Sequence, residues 1–148
     1  MAKRILVPLD QSHVAEIVVP LVAAAARGAG ATVRLLLVAP VPQNRVSDEG
    51  RVVAYADQEM SRLEAEGLDY LRTVEMQFGS GSVECVVRFG DPVDEILREA
   101  DAFGADLIAV TTEGRSALGR VVLGSVAEEV VRKADAPVVL MRAGRAGR

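Results

Sequence analysis

Residues 105–142 constrain the chain more than any other stretch. An apolar run at residues 107–110 reads as a buried strand. A loop spaced by Gly114, Gly119 and Gly124 follows. Leu123, Val126, Ala127, Val130 and Val131 then fall on one helical stripe. Ser125 with Glu128 three residues on forms a capping-box pattern. Glu128–Arg132 and Glu129–Lys133 are four-apart pairs in the favourable order. Pro137 ends the helix, and residues 138–141 make a last strand. A strand, a glycine loop and a helix start together aim backbone N–H groups at one place, which suits an anion such as a phosphate. The same pattern also serves as a plain turn.

The rest of the chain repeats this alternation. Residues 5–9 form a short apolar strand that meets a turn at Asp10, with Asp10 or Ser12 available to cap the next helix. Val14, Ile17, Val18, Leu21, Val22 and Ala25 give that helix a face; Pro20 is expected to bend it, and Gly28 and Gly30 to end it. Residues 32–38 are nearly all apolar, as in a strand covered on both faces. An irregular polar segment over residues 40–50 is a candidate flap. A long helix is predicted over residues 52–78, with Met60, Leu63, Gly67, Leu71, Val74 and Phe78 inward. Residues 82–88 alternate as a third strand. Asp91 caps, and Pro92 opens, a helix whose Val93, Ile96, Leu97 and Ala100 face the core. Strands alternating with helices define a parallel α/β sheet. Residues 1–142 read as one domain and residues 143–148 as a loose tail.

Composition narrows the function. The net charge of −4 and scarce aromatics, with no tryptophan, argue against a nucleic-acid surface. No apolar run reaches the roughly 20 residues of a membrane span. No signal-like segment opens the chain, and the single cysteine, Cys85, allows no internal disulfide, so a cytoplasmic location is expected. Cys85 reads as buried and inert, and His13 as a surface residue. With one histidine there is no metal-ligand cluster. There is no P-loop, and the turn after the first strand is not a dinucleotide-binding fingerprint. No acid–base pair or nucleophile set stands out, so the chain is read as a binding protein rather than an enzyme.

The glycine-spaced stretch also resembles the universal stress protein family. Nucleotide-binding members carry a glycine, two residues, a second glycine, nine residues, then Gly-Ser or Gly-Thr. Here Gly114 and Gly124-Ser125 fit, Thr111 stands in place of the first glycine, and Glu113 stands where a histidine is common. The opening Lys3-Arg4-Ile5-Leu6-Val7-Pro8-Leu9-Asp10 is similar to the family's first strand and turn. The resemblance implies a three-layer, doubly wound open sheet: five parallel strands in the order 3-2-1-4-5, helices on both faces. It implies an adenine nucleotide, ATP or ADP or AMP, at the carboxyl ends of strands 1, 2 and 4. Pro8, Leu9 and Asp10 would line adenine and ribose. Val38 would touch adenine, and Val110 and Thr111 would lie beside the ribose. Gly114, Arg115, Ser116, Gly124, Ser125 and Val126 would meet the phosphates, which would also hold any Mg²⁺. It further implies a homodimer through the last strand, Val138, Val139, Leu140 and Met141, acting as a stress-response sensor or switch. The rival readings are a dimeric interaction module without nucleotide and a weak nucleotide hydrolase.

Overall fold

The computed structural model describes residues 2–42, 45–46, 52–53, 56–112 and 123–142. Seven strands are assigned among them: β1 (Arg4–Leu9), β2 (Thr32–Ala39), β3 (Arg45–Val46), β4 (Val52–Val53), β5 (Ser82–Phe89), β6 (Leu107–Thr112) and β7 (Val138–Arg142). The helices are α1 (Val19–Ala29), α2 (Ala56–Glu75), α3 (Pro92–Phe103) and α4 (Leu123–Lys133). The main sheet has five strands in the order β5-β2-β1-β6-β7, all paired parallel. Counting only those strands, this is the expected 3-2-1-4-5. β3 and β4 form a separate antiparallel pair.

The alternation of side chains along the strands divides the core in two. Val7, Leu9, Val33, Leu35, Leu37 and Ala109 face α1 and α2, where they meet Val22, Ala26, Leu71 and Val74. Leu6, Leu36, Ile108 and Val110 face α3 and α4, against Val93, Ile96, Phe103, Ala127 and Val130. Hence β1 and β2, buried on both sides, are nearly uninterrupted runs of aliphatic residues. Asp91 caps α3, its Oδ2 accepting from the Asp94 N–H at 3.0 Å, with Pro92 at the first helical position. At the opposite end of the sheet, Lys3 Nζ donates to the Ala29 carbonyl at 2.7 Å and Arg4 Nη1 to the Phe103 carbonyl at 3.2 Å. Two neighbouring cations thereby close the last turns of helices on opposite faces.

Several expected details change. The segment after β1 opens as a 3-10 turn, Ala15–Val18, and becomes α-helical only at Val19, so Pro20 sits in the first turn and bends nothing. The buried stripe is Ala15, Val18, Val19, Val22, Ala23 and Ala26, while Ile17, Leu21 and Ala25 face outward. The segment is apolar almost all round, so its pattern cannot choose a face. Gly28 lies inside α1, and Gly30, left-handed at φ 65°, ends it. The candidate flap contains β3, and α2 starts at Ala56 because residues 52–53 pair as β4. Residues 76–78 are a 3-10 turn. α4 begins at Leu123, which places Ser125 inside the helix rather than at its cap. Val131 lies 46% exposed, off the buried stripe. Glu129 pairs with Lys133 at 3.2 Å as expected.

Between β2, β5 and α3 lies an ion-pair network. Glu99, 2% exposed, bonds Arg34 at 2.5 Å and also Arg88; Arg34 reaches Glu84 at 2.6 Å and lies 4.2 Å from the Phe103 ring centroid. Glu95 bonds Arg98 at 2.5 Å and Arg88 at 3.4 Å. Burial pushes the Glu99 carboxyl up, but hydrogen bonds from Arg88 and Arg34 outweigh it and hold the group below the usual glutamate range. The unfolded chain therefore takes up this proton first as pH falls. The stabilisation is complete above the unfolded value of about 4.3 and is lost as pH falls through the folded value. Glu99→Gln should lower stability at neutral pH and flatten the acid limb of a stability–pH curve measured by urea unfolding.

α2 touches the sheet through Gly67, where a Cβ would stand 2.9 Å from both Leu37 Cδ2 and Val87 Cγ2. Gly67→Ala should therefore destabilise by about 1–3 kcal/mol from overpacking, offset by up to about 1 kcal/mol of helix propensity. Denaturant unfolding reads the net loss; a gain in stability would mean the helix simply lifts.

Candidate functional site

The sheet is not paired evenly. β1 and β2 run in register from Arg4↔Thr32 to Leu9↔Leu37, and β6 and β7 from Ile108↔Val138 to Thr112↔Arg142. β1 and β6 pair only at Ile5↔Leu107 and Leu6↔Ile108. Beyond these residues the two central strands part towards their carboxyl ends. The winding also reverses here: from β1 the chain moves outward through β2 to β5, then crosses back to β6. A crevice outside the carboxyl ends at such a reversal is where open α/β sheets receive ligands.

Asp10 follows β1 directly into this opening. Its Oδ1 accepts from the Ser12 N–H at 3.0 Å and the Ser12 hydroxyl at 2.5 Å. The Ser12 hydroxyl in turn accepts the Ala15 N–H at 3.0 Å, starting the 3-10 turn. Ser12 thus receives the Ala15 N–H at the start of the turn, and Asp10 orients it. Gln11, between them, is the non-glycine residue with a left-handed backbone among those described, at φ 69°. The other carboxylate oxygen, Asp10 Oδ2, is shielded from solvent and has no hydrogen-bond partner, the one buried side-chain polar atom so placed among the described residues. A buried acceptor without a donor costs about 1–3 kcal/mol, more when charged, so the atom is set to accept from something outside the fold.

Thr111 is fully buried and lies within β6, not in the loop after it. Its hydroxyl donates to the Ala15 carbonyl at 3.3 Å. The side chain therefore lies on the α1 side with Ala109 and ties β6 to the 3-10 turn where the strands part. The β-branched residue in place of a glycine has a structural partner inside the protein. Thr111→Val keeps the shape and removes the donor; it should cost about 1 kcal/mol in denaturant unfolding, while Thr111→Ser retains most of that bond.

The other expected residues divide between the two faces. Val38 and Val110 belong with the core facing α3 and α4, Leu9 with the core facing α1 and α2, and buried Pro8 pairs with Leu36. Val126 of α4 is partly buried against both cores, and Ser125 is exposed. Gly124 lies in the first turn of α4. Gly114, Arg115, Ser116, Gly119 and Arg120 lie outside the described residues, as does the tail 143–148. His13 is exposed. Cys85 is half-buried with its thiol 3.3 Å from Glu75 Oε1; burial first, and then this carboxylate, push its pKa up to about 12. The thiol is thus protonated and unreactive at neutral pH.

Sequence reasoning missed Tyr70 and Glu16. The Tyr70 hydroxyl donates to Glu16 Oε2 at 2.6 Å, beside the Asp10 turn. The signal was present: Tyr70 stands three residues after Gly67 and four before Val74, at the margin of the inward stripe of α2.

Other concavities lie elsewhere among the described residues, two of them well separated. One of about 400 Å³ sits at the amino ends of the strands, lined by Ala26, Val33, Phe78 and Val83. Another of about 550 Å³ lies beside the edge strand, lined by Ser125, Val131, Arg132 and Leu140. Neither contains the orphaned polar atom. Among the described residues no group of His, Cys, Asp and Glu is placed to hold a metal ion, and no helix is long and apolar enough to cross a membrane.

A doubly wound sheet of this order, open between its first and fourth strands, defines a class of α/β binding folds. The chain belongs to the universal stress protein family, which it matches over residues 1–142. A putative universal stress protein of Staphylococcus aureus is 30% identical over 141 residues, 95% of this chain and 84% of that protein. MJ0531 of Methanocaldococcus jannaschii is 35% identical over 82 residues, 54% of this chain; that match spans about half of the relative, 48% of its length. The solved structure of MJ0577 from the same organism superposes with a TM-score of 0.79 at 26% identity, over 97% of this chain and 98% of that one. Two further universal stress proteins share the fold. One, solved in complex with cAMP, has a TM-score of 0.63 at 21% identity, over 97% of this chain and 98% of its own. The other, from Archaeoglobus fulgidus in complex with dAMP, has a TM-score of 0.58 at 23% identity, over 93% and 96%.

Proposed function

We propose that this chain binds an adenine nucleotide, ATP foremost, where β1 and β6 part, and acts as a dimeric switch in the stress response. The observation that carries this reading is the buried, partnerless Asp10 Oδ2 at the open end of β1. An ionised carboxylate oxygen repels phosphate and accepts from hydroxyl or amino groups, so it suits the nucleoside end of the ligand. Pro8, Leu9, Val38, Val110 and Thr111 would line that end. The phosphates would lie away from Asp10, towards Gly114, Arg115, Ser116, Gly124, Ser125 and Val126. Mg²⁺ would sit mainly on phosphate oxygens, as this ion favours. That two proteins of the same fold were solved with cAMP and dAMP supports an adenine ligand.

The dimer would form through β7, an edge strand of the main sheet, where Val139 and Leu140 are 37% and 45% exposed. An unpaired apolar edge is a surface that proteins cover, and pairing across a two-fold axis covers it. The same patch favours a second reading, an interaction module whose function is the dimer surface itself. A thermal-shift titration with ATP, ADP and AMP, with and without Mg²⁺, separates the two. Ligand at a hundredfold excess over its dissociation constant should stabilise the fold by about 2.7 kcal/mol, and Asp10→Ala should abolish the shift. No shift at millimolar nucleotide would leave the interaction module.

A further inference from the structure

Proline has no N–H to give a sheet, so it keeps to edge strands, first positions and bulges. Pro8 departs from this: it is buried inside β1, the middle strand of the five. The backbone shows which neighbour goes without its donor. The Lys3 carbonyl accepts from the Thr32 N–H at 2.8 Å, towards β2, and the Arg4 carbonyl from the Asp106 N–H at 3.0 Å, towards β6. Backbone polar groups of successive strand residues point to opposite edges. Ile5, Val7 and Leu9 therefore bond β2, while Leu6 and Pro8 turn to β6. Pairing with β2 runs on through Pro8 to Leu9, because Pro8 has no bond to make on that side. Pairing with β6 ends at Leu6↔Ile108, immediately before the residue that has no donor to offer. Carrying that register on would set Pro8 opposite Val110.

We propose that Pro8 builds the nucleotide crevice: by withholding an N–H from β6 it stops the β1–β6 ladder after Leu6 and keeps the two strands apart where the nucleoside end enters. The proposal rests on the nucleotide reading given above. The ring carbon on the Pro8 nitrogen occupies the place of the missing hydrogen, so β6 gains nothing by closing. A middle strand thus acquires an edge over its last residues, on one side only. The opening is built into the chain before any ligand arrives, and binding then has no ladder to break. Pro8 acts here through β6, apart from any contact of its ring with the ligand.

Pro8→Ala supplies the missing N–H. In nucleotide-free protein, NMR should show the new amide at position 8 protected from exchange and joined by cross-strand NOEs to β6 near Val110. A freely exchanging amide without those NOEs would overturn the proposal. N-methylalanine at position 8, introduced by ligating a synthetic amino-terminal segment, lacks both the ring and the N–H. It should leave the strands parted; the same new NOEs in that protein would show that the donor is irrelevant and overturn the proposal too. Isothermal titration with ATP and AMP then compares these two proteins, neither of which has the ring. Pro8→Ala should bind about five- to tenfold more weakly, since the nucleotide must first break one ladder hydrogen bond. Equal affinities despite a new ladder would mean that this gap is not where the nucleotide enters, and would sink the assignment. A new ladder in Pro8→Ala, in a protein that binds no adenine nucleotide in any form, would uphold Pro8 as what parts the strands and reject the nucleotide reading alone.

Discussion

A parallel sheet whose winding reverses must leave a gap at the reversal, and this chain places the gap between β1 and β6. β1 is paired with its outer neighbour β2 along its whole length and β6 with β7 from Ile108 onward, yet they share only two paired positions with each other. The missing pairing opens at the carboxyl ends, where the chain supplies Asp10, the left-handed Gln11 and the buried Thr111. The 3-10 turn packs into the opening on the α1 side, tied to Thr111 by one hydrogen bond. The opening is thus floored on one side.

The layers around this gap are held by different means. On the α1 and α2 side the contacts are aliphatic, down to the glycine at position 67 that lets α2 approach Leu37 and Val87. On the α3 side, an aliphatic core is bordered by a cluster of arginines and glutamates, with Glu99 held by two of them. Such a cluster is costly to desolvate, and its strength lies in its specificity: removing one partner strands the others. It fixes how α3 sits on β2 and β5.

Much of the architecture was legible because both faces of the central strands are covered. An aliphatic run as short as residues 32–38, closed off by turn residues, fits a doubly covered strand and little else, and the Asp91–Pro92 helix start follows from local chemistry alone. The same uniform hydrophobicity hid the orientation of α1. With apolar residues on nearly every side of residues 14–26, two helical stripes competed, and only the entry through a 3-10 turn selects Ala15, Val18, Val19 and Val22. Asp10 was legible as the residue after the first strand. Its division into one satisfied and one orphaned oxygen was not, because the shielding of Oδ2 comes from the folded surroundings and not from the local Ser12 contact that satisfies Oδ1. Thr111 was read as a departure from a glycine pattern; its partner, the Ala15 carbonyl, is a tertiary contact that no local pattern encodes.

The placement of β1 has a consequence for how the chain is made. Its first strand is its most central one, bonded at its opening residues to Asp106 through Lys3 and Arg4. During synthesis β2 emerges in time to cover one edge of β1, and β5 to cover β2, but the other edge of β1 waits until β6 leaves the ribosome. Until then an aliphatic strand with an open side is exposed to whatever lies nearby, and closing it means bridging about a hundred residues. Contacts of such separation fold slowly and leave transient sticky surfaces. A nascent chain of this kind has its interval of greatest vulnerability just before β6 emerges, after most of its core already exists.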